Sequence, residues 1–219
     1  MTSGQHEANR KFYDRISRAY DLIAEADEHK AREAGERLLK LTPGERVLEI
    51  GFGTGNSVIN MAESVGPAGK VYGIDVSPGM LEVAQAKIAD KGLSDRVELI
   101  TGDARDLPYE DESFSASFAS FTLELFPPDD IPEVLRQVCR VLHKGGRLGV
   151  VSMAKVEQGQ HPSLLEKTYV WMHRHFPHIV DCRPIDPVQS LHNAGFNIRD
   201  EFKMDIWTMP VKAVVGTKP

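Results

Sequence analysis

The sequence has few cysteines, no excess of basic residues and no long apolar run. Its two cysteines, Cys139 and Cys182, lack metal-site spacing, so we expect reduced thiols, no metal site and a cytoplasmic protein. Lysine and arginine number 26 against 32 acidic residues, a net charge of −6, which argues against a nucleic-acid partner. The start of the chain is polar, and no run approaches the roughly 18 apolar residues that span a bilayer. These features predict a globular protein without a signal peptide, and they leave peripheral membrane contact open.

The most informative stretch is RVLEIGFGTG, Arg46 to Gly55. Its apolar residues predict a short buried strand of the parallel type, and its three glycines predict a tight turn. A helical pattern then opens at Asn56. Strand, glycine turn and helix form the ligand-binding unit of an open α/β sheet, because the backbone can approach a ligand there. The dinucleotide fingerprint would need glycine at position 56, so Asn56 favours another adenosine-containing ligand.

Hydrophobic periodicity and turn residues predict the remaining elements. A Ser77 cap and a proline start one helix, which runs to about Lys91. The order of strands and helices predicts a doubly wound parallel α/β sheet whose last two strands form an antiparallel pair at its edge. The predicted strands are Val47–Ile50, Lys70–Ile74, Arg96–Ile100, Phe114–Phe121, Arg147–Met153, Phe196–Phe202 and Trp207–Gly216, and the other helices are Asn9–Leu41, Pro132–Leu142 and Pro187–Ala194.

We interpret residues 1–219 as a single domain with four parts. Residues 1–41 form an N-terminal helical cap, and residues 42–153 form the ligand-binding core. Residues 154–194 contain many histidines and aromatic residues and read as a helical lid that contacts the substrate. Residues 195–219 form the final strand pair. Cys139 falls in a helical pattern, where we expect a small buried side chain.

Acidic residues stand where predicted strands end, the edge at which open α/β sheets bind ligands. Asp75 ends the second strand, about 20 residues after the glycine turn, where a carboxylate accepts hydrogen bonds from ribose hydroxyls. Asp103 follows the third strand and suits an exocyclic adenine amine, with the Ala104 N–H facing a ring nitrogen. A helix cap and a loop-stabilising role are the structural alternatives for Asp75 and Asp103. Glu49 either orders the glycine turn or meets an ammonium group.

Four segments, VLEIGFGTG, VYGIDVSPGML, GDARDLPYEDESF and LRQVCRVLHKGGRLGVV, resemble in order and spacing a class I S-adenosylmethionine-dependent methyltransferase. They are similar to the C-methyltransferase group of ubiquinone and menaquinone biosynthesis. The resemblance covers about Tyr13 to Met153 and is looser beyond. It implies a Rossmann-like sheet of seven strands, mostly parallel, with an antiparallel last strand and helices on both faces.

The resemblance also implies S-adenosyl-L-methionine as cofactor. Tyr20, within AYD, matches a tyrosine that closes over the cofactor in the quinone enzymes. The segment 154–183 departs from those enzymes, so the acceptor is less defined than the cofactor. The predicted cofactor-binding residues are Tyr20, Glu49, Gly51, Gly53, Thr54, Gly55, Asp75, Val76, Asp103, Ala104 and Ser120.

The predicted reaction is an in-line methyl transfer to a small or lipid-like acceptor, with quinones and phenols among the candidates. No catalytic residue is assigned. The candidates for a general base are His173, His175 and Tyr13, and Glu124 is a further acceptor contact. Tyr169, Trp171 and Phe176 either line an acceptor pocket or pack the lid. Two other functions stay open: a catalytically silent cofactor-binding regulator, and an NAD(P)-dependent oxidoreductase, which Asn56 disfavours.

Overall fold

The computed structural model describes residues 28–155, 183–206 and 209–219, which form one sheet with helices on both faces. The strands are β1 Arg46–Ile50, β2 Lys70–Asp75, β3 Val97–Thr101, β4 Phe114–Ser120, β5 Leu142–Met153, β6 Asn197–Ile206 and β7 Met209–Thr217. The helices are α1 at 28–39, α2 Asn56–Val65, α3 Pro78–Asp90, α4 Ile131–Val141 and α5 Pro187–Asn193, with a short 3₁₀ helix at Leu123–Leu125.

The seven strands lie in the order β3-β2-β1-β4-β5-β7-β6. Strands β1 to β5 are parallel to their neighbours, whereas β7 pairs antiparallel with both β5 and β6. The predicted fold class is therefore confirmed, including the antiparallel strand pair at the edge. Strand order reverses at β1, which lies between β2 and β4, so the glycine turn after β1 lies at the topological switch point where such sheets bind ligands.

Apolar side chains cover both faces of the sheet. One core cluster combines α1, α2 and α3 with the sheet and includes Val47 and Phe118. The other combines α4 and α5 with the opposite face and includes Leu48, Phe114 and Phe196. Because successive residues of a strand point to opposite faces, Val47 and Leu48 serve different clusters. This two-sided burial explains the continuous apolar runs in the central strands.

Local sequence signals set the ends of the helices. The Ser77 side chain accepts a hydrogen bond from the Met80 N–H at 3.1 Å, as predicted, and Pro78 follows as the first residue of α3. Gly92, with φ of 66°, follows the end of that helix. Asp186 caps α5 in the same way by accepting from the Gln189 N–H at 3.1 Å.

Two predicted boundaries are wrong. β5 begins at Leu142, not Arg147, because Leu142 pairs with Phe114 and the register then shifts across the two glycines. The Gly145 N–H donates to the Lys218 carbonyl at 3.0 Å, so a segment after β7 binds the backbone that was predicted to turn. β6 also extends to Ile206, because its full length pairs with β7.

Several predicted residues lie outside the described ranges, and the prediction for Cys139 differs from the structure in its degree of burial. Tyr13, Tyr20, Tyr169, Trp171, Phe176, the histidines 161, 173, 175 and 178, and Cys182 lie outside the described residues. Cys139 is half-buried on α4, more exposed than predicted. Within the described residues, no helix combines the length and apolar character needed to cross a membrane.

We expect Gly55→Ala to destabilise the protein more than Gly92→Ala. Both glycines have left-handed φ angles, 85° and 66°, which alanine disfavours. A Cβ on Gly55 would lie 2.9 Å from the Ala84 Cβ, whereas one on Gly92 meets nothing within 4 Å. Overpacking costs about 1–3 kcal/mol, so urea denaturation without ligand should show a difference of that size. Equal losses in the two variants would contradict tight packing between the glycine turn and α3.

Candidate functional site

The glycine turn is bounded by α3 and by the residues after β4. Gly51, Gly53 and Gly55 all have left-handed φ angles, 69°, 52° and 85°. A Cβ on Gly51 would lie 2.4 Å from the Thr122 Cγ2, so that glycine permits close packing against the end of β4. A Cβ on Gly53 would meet nothing within 4 Å. The middle of the turn therefore faces open space, while its two ends are fixed by packing.

Asp75, at the end of β2, holds this turn in place. Its Oδ2 accepts from the Gly53 N–H at 2.9 Å, and its Oδ1 accepts from the Ser77 N–H at 2.9 Å. One carboxylate thus joins the glycine turn to the start of α3. Val76, beside it, is 37% exposed, which is unusual for a large apolar side chain in this protein.

The residues after β3 form a charged network. Asp103 binds Arg105 through both oxygens, at 3.0 Å to Nε and 2.5 Å to Nη2. Arg105 Nη1 also donates to Asp130 at 2.8 Å. The Asp103 carboxylate raises the pKa of Arg105. Asp103 therefore stabilises the loop after β3 through Arg105, which is the structural alternative that the sequence left open. Ala104, beside it, is buried.

The turn after β4 contains a strained residue and an unpaired hydroxyl. Phe121 has a left-handed φ of 50°, which is rare for a bulky residue. The Thr122 hydroxyl donates to the Ser120 carbonyl at 3.0 Å and lies 3.4 Å from the Gly51 carbonyl. The Ser120 Oγ is buried without a hydrogen-bond partner among the described residues. An unpaired buried hydroxyl beside the glycine turn is the kind of group a ligand can satisfy.

Glu49 on β1 is a buried acid beneath the glycine turn. It is 2% exposed, and its Oε2 has no hydrogen-bond partner in the described part of the chain. Burial raises the pKa of Glu49 well above its ordinary value, and the carboxylate of Glu36 raises it further, against a hydrogen bond from Ser57 and the charge of Arg32. A cation near Glu49 would offset this burial cost.

Glu124, in the 3₁₀ helix after β4, is the second buried acid at this edge. It is 1% exposed, and its Oε1 accepts from the Met153 N–H at 3.0 Å. Its Oε2 is buried without a hydrogen-bond partner among the described residues. Burial raises the pKa of Glu124 to about 8.

The structure brings most predicted residues together at one edge of the sheet. The glycine turn with Thr54, the Asp75–Val76 pair, Asp103–Ala104 and Ser120 follow β1, β2, β3 and β4. Tyr13, Tyr20, His173 and His175 lie outside the described residues. Sequence reasoning missed Arg105, Glu36 and the importance of Glu124. The proximity of Arg105 to Asp103 in the sequence could have indicated their ion pair. The burial of Glu36 and Glu124 has no local signal, because it depends on tertiary packing.

Comparison with known proteins identifies the family. A sequence model described as "Methyltransferase domain" matches residues 47–146. The demethylmenaquinone methyltransferase of Listeria monocytogenes is 35% identical over 159 residues, which cover 71% of this chain and 66% of the relative. That of Bacillus mycoides is 36% identical over 152 residues, 68% of this chain and 63% of the relative. The chain thus spans slightly less than two thirds of the length of these relatives.

Solved structures agree in fold. The [4+2]-cyclase SpnF superposes with a TM-score of 0.76 at 22% identity, covering 96% of this chain and 95% of SpnF. Geranyl diphosphate methyltransferase in complex with S-adenosylmethionine gives a TM-score of 0.70 at 16% identity, covering 86% and 85%. At these identities the likeness concerns the fold alone.

The strand order and the glycine turn define a Rossmann-like, open α/β fold with its ligand-binding edge at the switch point of the sheet. Residues 47–146 match the methyltransferase domain family. The predicted similarity to the quinone C-methyltransferase group is confirmed by the demethylmenaquinone methyltransferases among the relatives.

We expect Glu124→Gln to make stability less sensitive to pH. The pKa of Glu124 is about 8 in the folded state against an ordinary value of 4.5, so the folded state binds the extra proton between these values. Its contribution is therefore fully present below about pH 4.5 and is lost as pH rises through 8. Denaturation at pH 5 and pH 9 should show a loss for the wild type that exceeds that of Glu124→Gln by roughly 2–4 kcal/mol. Parallel losses would show that the Glu124 carboxyl is solvated.

Proposed function

We propose that this protein is an S-adenosylmethionine-dependent methyltransferase that acts on a small or lipid-like acceptor by in-line displacement. The observation that carries the proposal is the glycine turn at the switch point of the sheet, which Asp75 joins to the start of α3 by hydrogen bonds of 2.9 Å. This arrangement leaves Gly53 facing open space at the start of α2.

The described residues fit the cofactor. S-adenosylmethionine carries an ammonium group, a ribose with two hydroxyls and an adenine, and the site offers a group for each. Glu49, which is buried and has one oxygen without a partner in the described part of the chain, suits the ammonium group. The glycine turn of Gly51, Gly53, Thr54 and Gly55 lies above it and would hold the same end of the cofactor. Asp75 suits the ribose hydroxyls because it is a carboxylate at the end of β2, beside the glycine turn.

We assign the contacts of the adenine and of the reacting centre to residues at the ends of β2, β3 and β4. Val76, which is exposed, supplies an apolar contact for the base, and Asp103 with Ala104 supplies its polar contacts. Both oxygens of Asp103 already accept two hydrogen bonds each from Arg105, so a contact between Asp103 and the adenine amine would require Arg105 to release one of them. Ser120 contributes its unpaired hydroxyl. Tyr20 stays a prediction for the residue that closes over the cofactor.

The protein's own contribution to methyl transfer is alignment and exclusion of water. The bound cofactor supplies an electrophilic methyl group on a sulfonium. Packing fixes the two ends of the glycine turn, and the turn therefore sets the position of a ligand bound over Gly53. Thr122, in the turn after β4, bounds the same space. His173, His175 and Tyr13 stay predictions for groups that act on the acceptor.

The acceptor class rests on the relatives. Those that match most of this chain are named demethylmenaquinone methyltransferases, which supports a quinone-like or phenolic acceptor. A cytoplasmic location, peripheral contact with a membrane surface and the absence of a nucleic-acid partner stay predictions from composition. Asn56, which accepts from Lys87 at 3.1 Å, occupies the place of the last glycine in the dinucleotide fingerprint and disfavours NAD(P).

We expect Asp75→Asn to weaken the binding of S-adenosylhomocysteine by on the order of 1–3 kcal/mol, since one charge-assisted acceptor is lost at the ribose. Isothermal titration calorimetry measures the effect, and circular dichroism checks the fold. The matched control is Asp90→Asn, an exposed residue at the end of α3, which should bind normally. Unchanged affinity in a folded Asp75→Asn protein would refute the ribose assignment.

Turnover separates the enzyme from a silent cofactor-binding protein. We expect methylation of at least one member of a panel of reduced quinones, small phenols and phospholipids, detected by mass spectrometry with deuterated methyl donor. Calorimetry should show binding of S-adenosylmethionine and no binding of NAD. Cofactor binding without any methylated product across the panel would favour the regulatory alternative.

A further inference from the structure

We propose that Glu124 is the general base of the reaction, and that its unpaired carboxylate oxygen takes the proton from a hydroxyl group of the acceptor. The acceptor is accordingly a phenol, a hydroquinone or an enol, whose nucleophilic atom gains electron density when the O–H bond breaks. This inference rests on the proposed methyltransferase function and adds the residue that selects the acceptor class.

The position of Glu124 places it at the edge of the sheet that holds the glycine turn. It lies in the 3₁₀ helix Leu123–Leu125, directly after β4. Thr122, two residues earlier, fills the space against Gly51. The Glu124 side chain reaches the end of β5, where its Oε1 accepts from the Met153 N–H at 3.0 Å. The carboxyl group therefore lies between the ends of β4 and β5, at the same edge of the sheet as the glycine turn.

The two carboxyl oxygens of Glu124 differ in their surroundings. Oε1 is fixed by the Met153 N–H, whereas Oε2 is buried and has no hydrogen-bond partner among the described residues. A buried acid with a purely structural role normally has both oxygens satisfied, because an unpaired buried polar atom is costly. One oxygen held and one oxygen free is the arrangement that a proton acceptor needs.

Few charges surround this carboxyl group in the described part of the chain. From α1, the negative charge of Glu28 disfavours ionisation. From β5, the neutral Ser152 hydroxyl lies 2.9 Å from the Met153 carbonyl, and its hydrogen bond to the Glu124 carboxyl lowers the pKa of Glu124. Arg183 donates its backbone N–H to the Glu124 carbonyl at 3.2 Å, and its side chain lines a groove between α4 and α5. Burial therefore dominates and raises the pKa of Glu124 to about 8, in the range where a carboxylate removes a proton from a phenol more readily than an exposed one does.

The step balances in atoms and charge. The O–H bond of the acceptor breaks and its proton moves to Glu124 Oε2, which becomes a neutral carboxylic acid. The electron pair released from that bond makes the acceptor oxygen, or the conjugated carbon, the atom that bonds to the methyl carbon. The pair of the carbon–sulfur bond stays on sulfur, so no oxidant or other reactant is needed. An acceptor that loses no proton, such as a tertiary amine or a thioether, would not use this group.

The first test compares pH–rate profiles. For an accepted phenol or hydroquinone, kcat/KM of the wild type should rise tenfold per pH unit and level off near the pKa of Glu124. Glu124→Gln keeps an oxygen for the Met153 N–H and removes only the proton acceptor, so kcat should fall by on the order of 10²–10⁴-fold and the profile should lose that inflection. Glu124→Asp should restore part of the rate together with the inflection. The control is Glu133→Gln on the outer side of α4, which should match the wild type.

The second test observes the carboxyl group in the cofactor-free protein. Glutamate labelled with ¹³C at the side-chain carboxyl gives one resonance for Glu124, assigned by its loss in Glu124→Gln. We expect this resonance to titrate with a midpoint near pH 8, and saturating 4-nitrophenol to displace that midpoint by at least half a pH unit. The resonances of exposed glutamates serve as the internal control.

The outcomes separate the two proposals. A Glu124 resonance that titrates near the ordinary value, or one that 4-nitrophenol leaves unchanged, overturns the role of Glu124 whether or not turnover is found. A folded Glu124→Gln protein that retains the wild-type rate and inflection overturns it as well. If no acceptor is methylated while the phenol shifts the Glu124 resonance, the methyl-transfer proposal fails and the contact between Glu124 and a phenol stands.

Discussion

The hydrogen bonds that Asp75 accepts from Gly53 and Ser77 are the interaction on which the site depends. The glycine turn follows β1, and the start of α3 follows β2. Pairing of the two strands fixes the distance between them but not the positions of the two loops relative to each other. The carboxylate converts two loops into one rigid surface. Packing of Gly51 on Thr122 extends that surface to the end of β4. Three neighbouring strand ends are thereby joined at one edge of the sheet, which includes the left-handed Phe121 after β4.

Two buried acids give this edge its chemical character. Glu49 and Glu124 lie on neighbouring strands or directly after them, and burial raises the pKa of both. Each retains one oxygen without a partner among the described residues. Such groups cost stability in the free protein, so their presence points to ligands that offset the cost. The acid beneath the glycine turn suits a permanent cation, whereas the acid after β4 suits a group that gives up a proton.

The sequence predicts the fold better than it predicts the site, for a physical reason. Apolar strands, glycine turns and the Ser77 cap are local signals, and they give the order of elements along the chain and the place of Asp75 at a strand end. Arg105 bonds to Asp130, 25 positions away, and that pairing depends on the final packing. Glu124 stands in the segment FTLELF, where the sequence suggests an acceptor contact, but its burial depends on how the ends of β4 and β5 pack together. The β5 boundary was wrong because Leu142 pairs with Phe114 and Gly145 bonds to Lys218, and both partners are distant in sequence.

The strand order has a consequence for how the chain folds during synthesis. β6 is an edge strand, and its partner in the sheet is β7, which follows it and lies between β5 and β6. While β7 is still inside the ribosome, β6 and the outer side of β5 both present unsatisfied backbone groups. The glycine turn and β1 to β4 can assemble earlier, since their pairings need nothing from the last strands. The nascent chain can therefore have an assembled glycine turn while two strand edges are still open, a stage at which binding by a chaperone would protect it from aggregation.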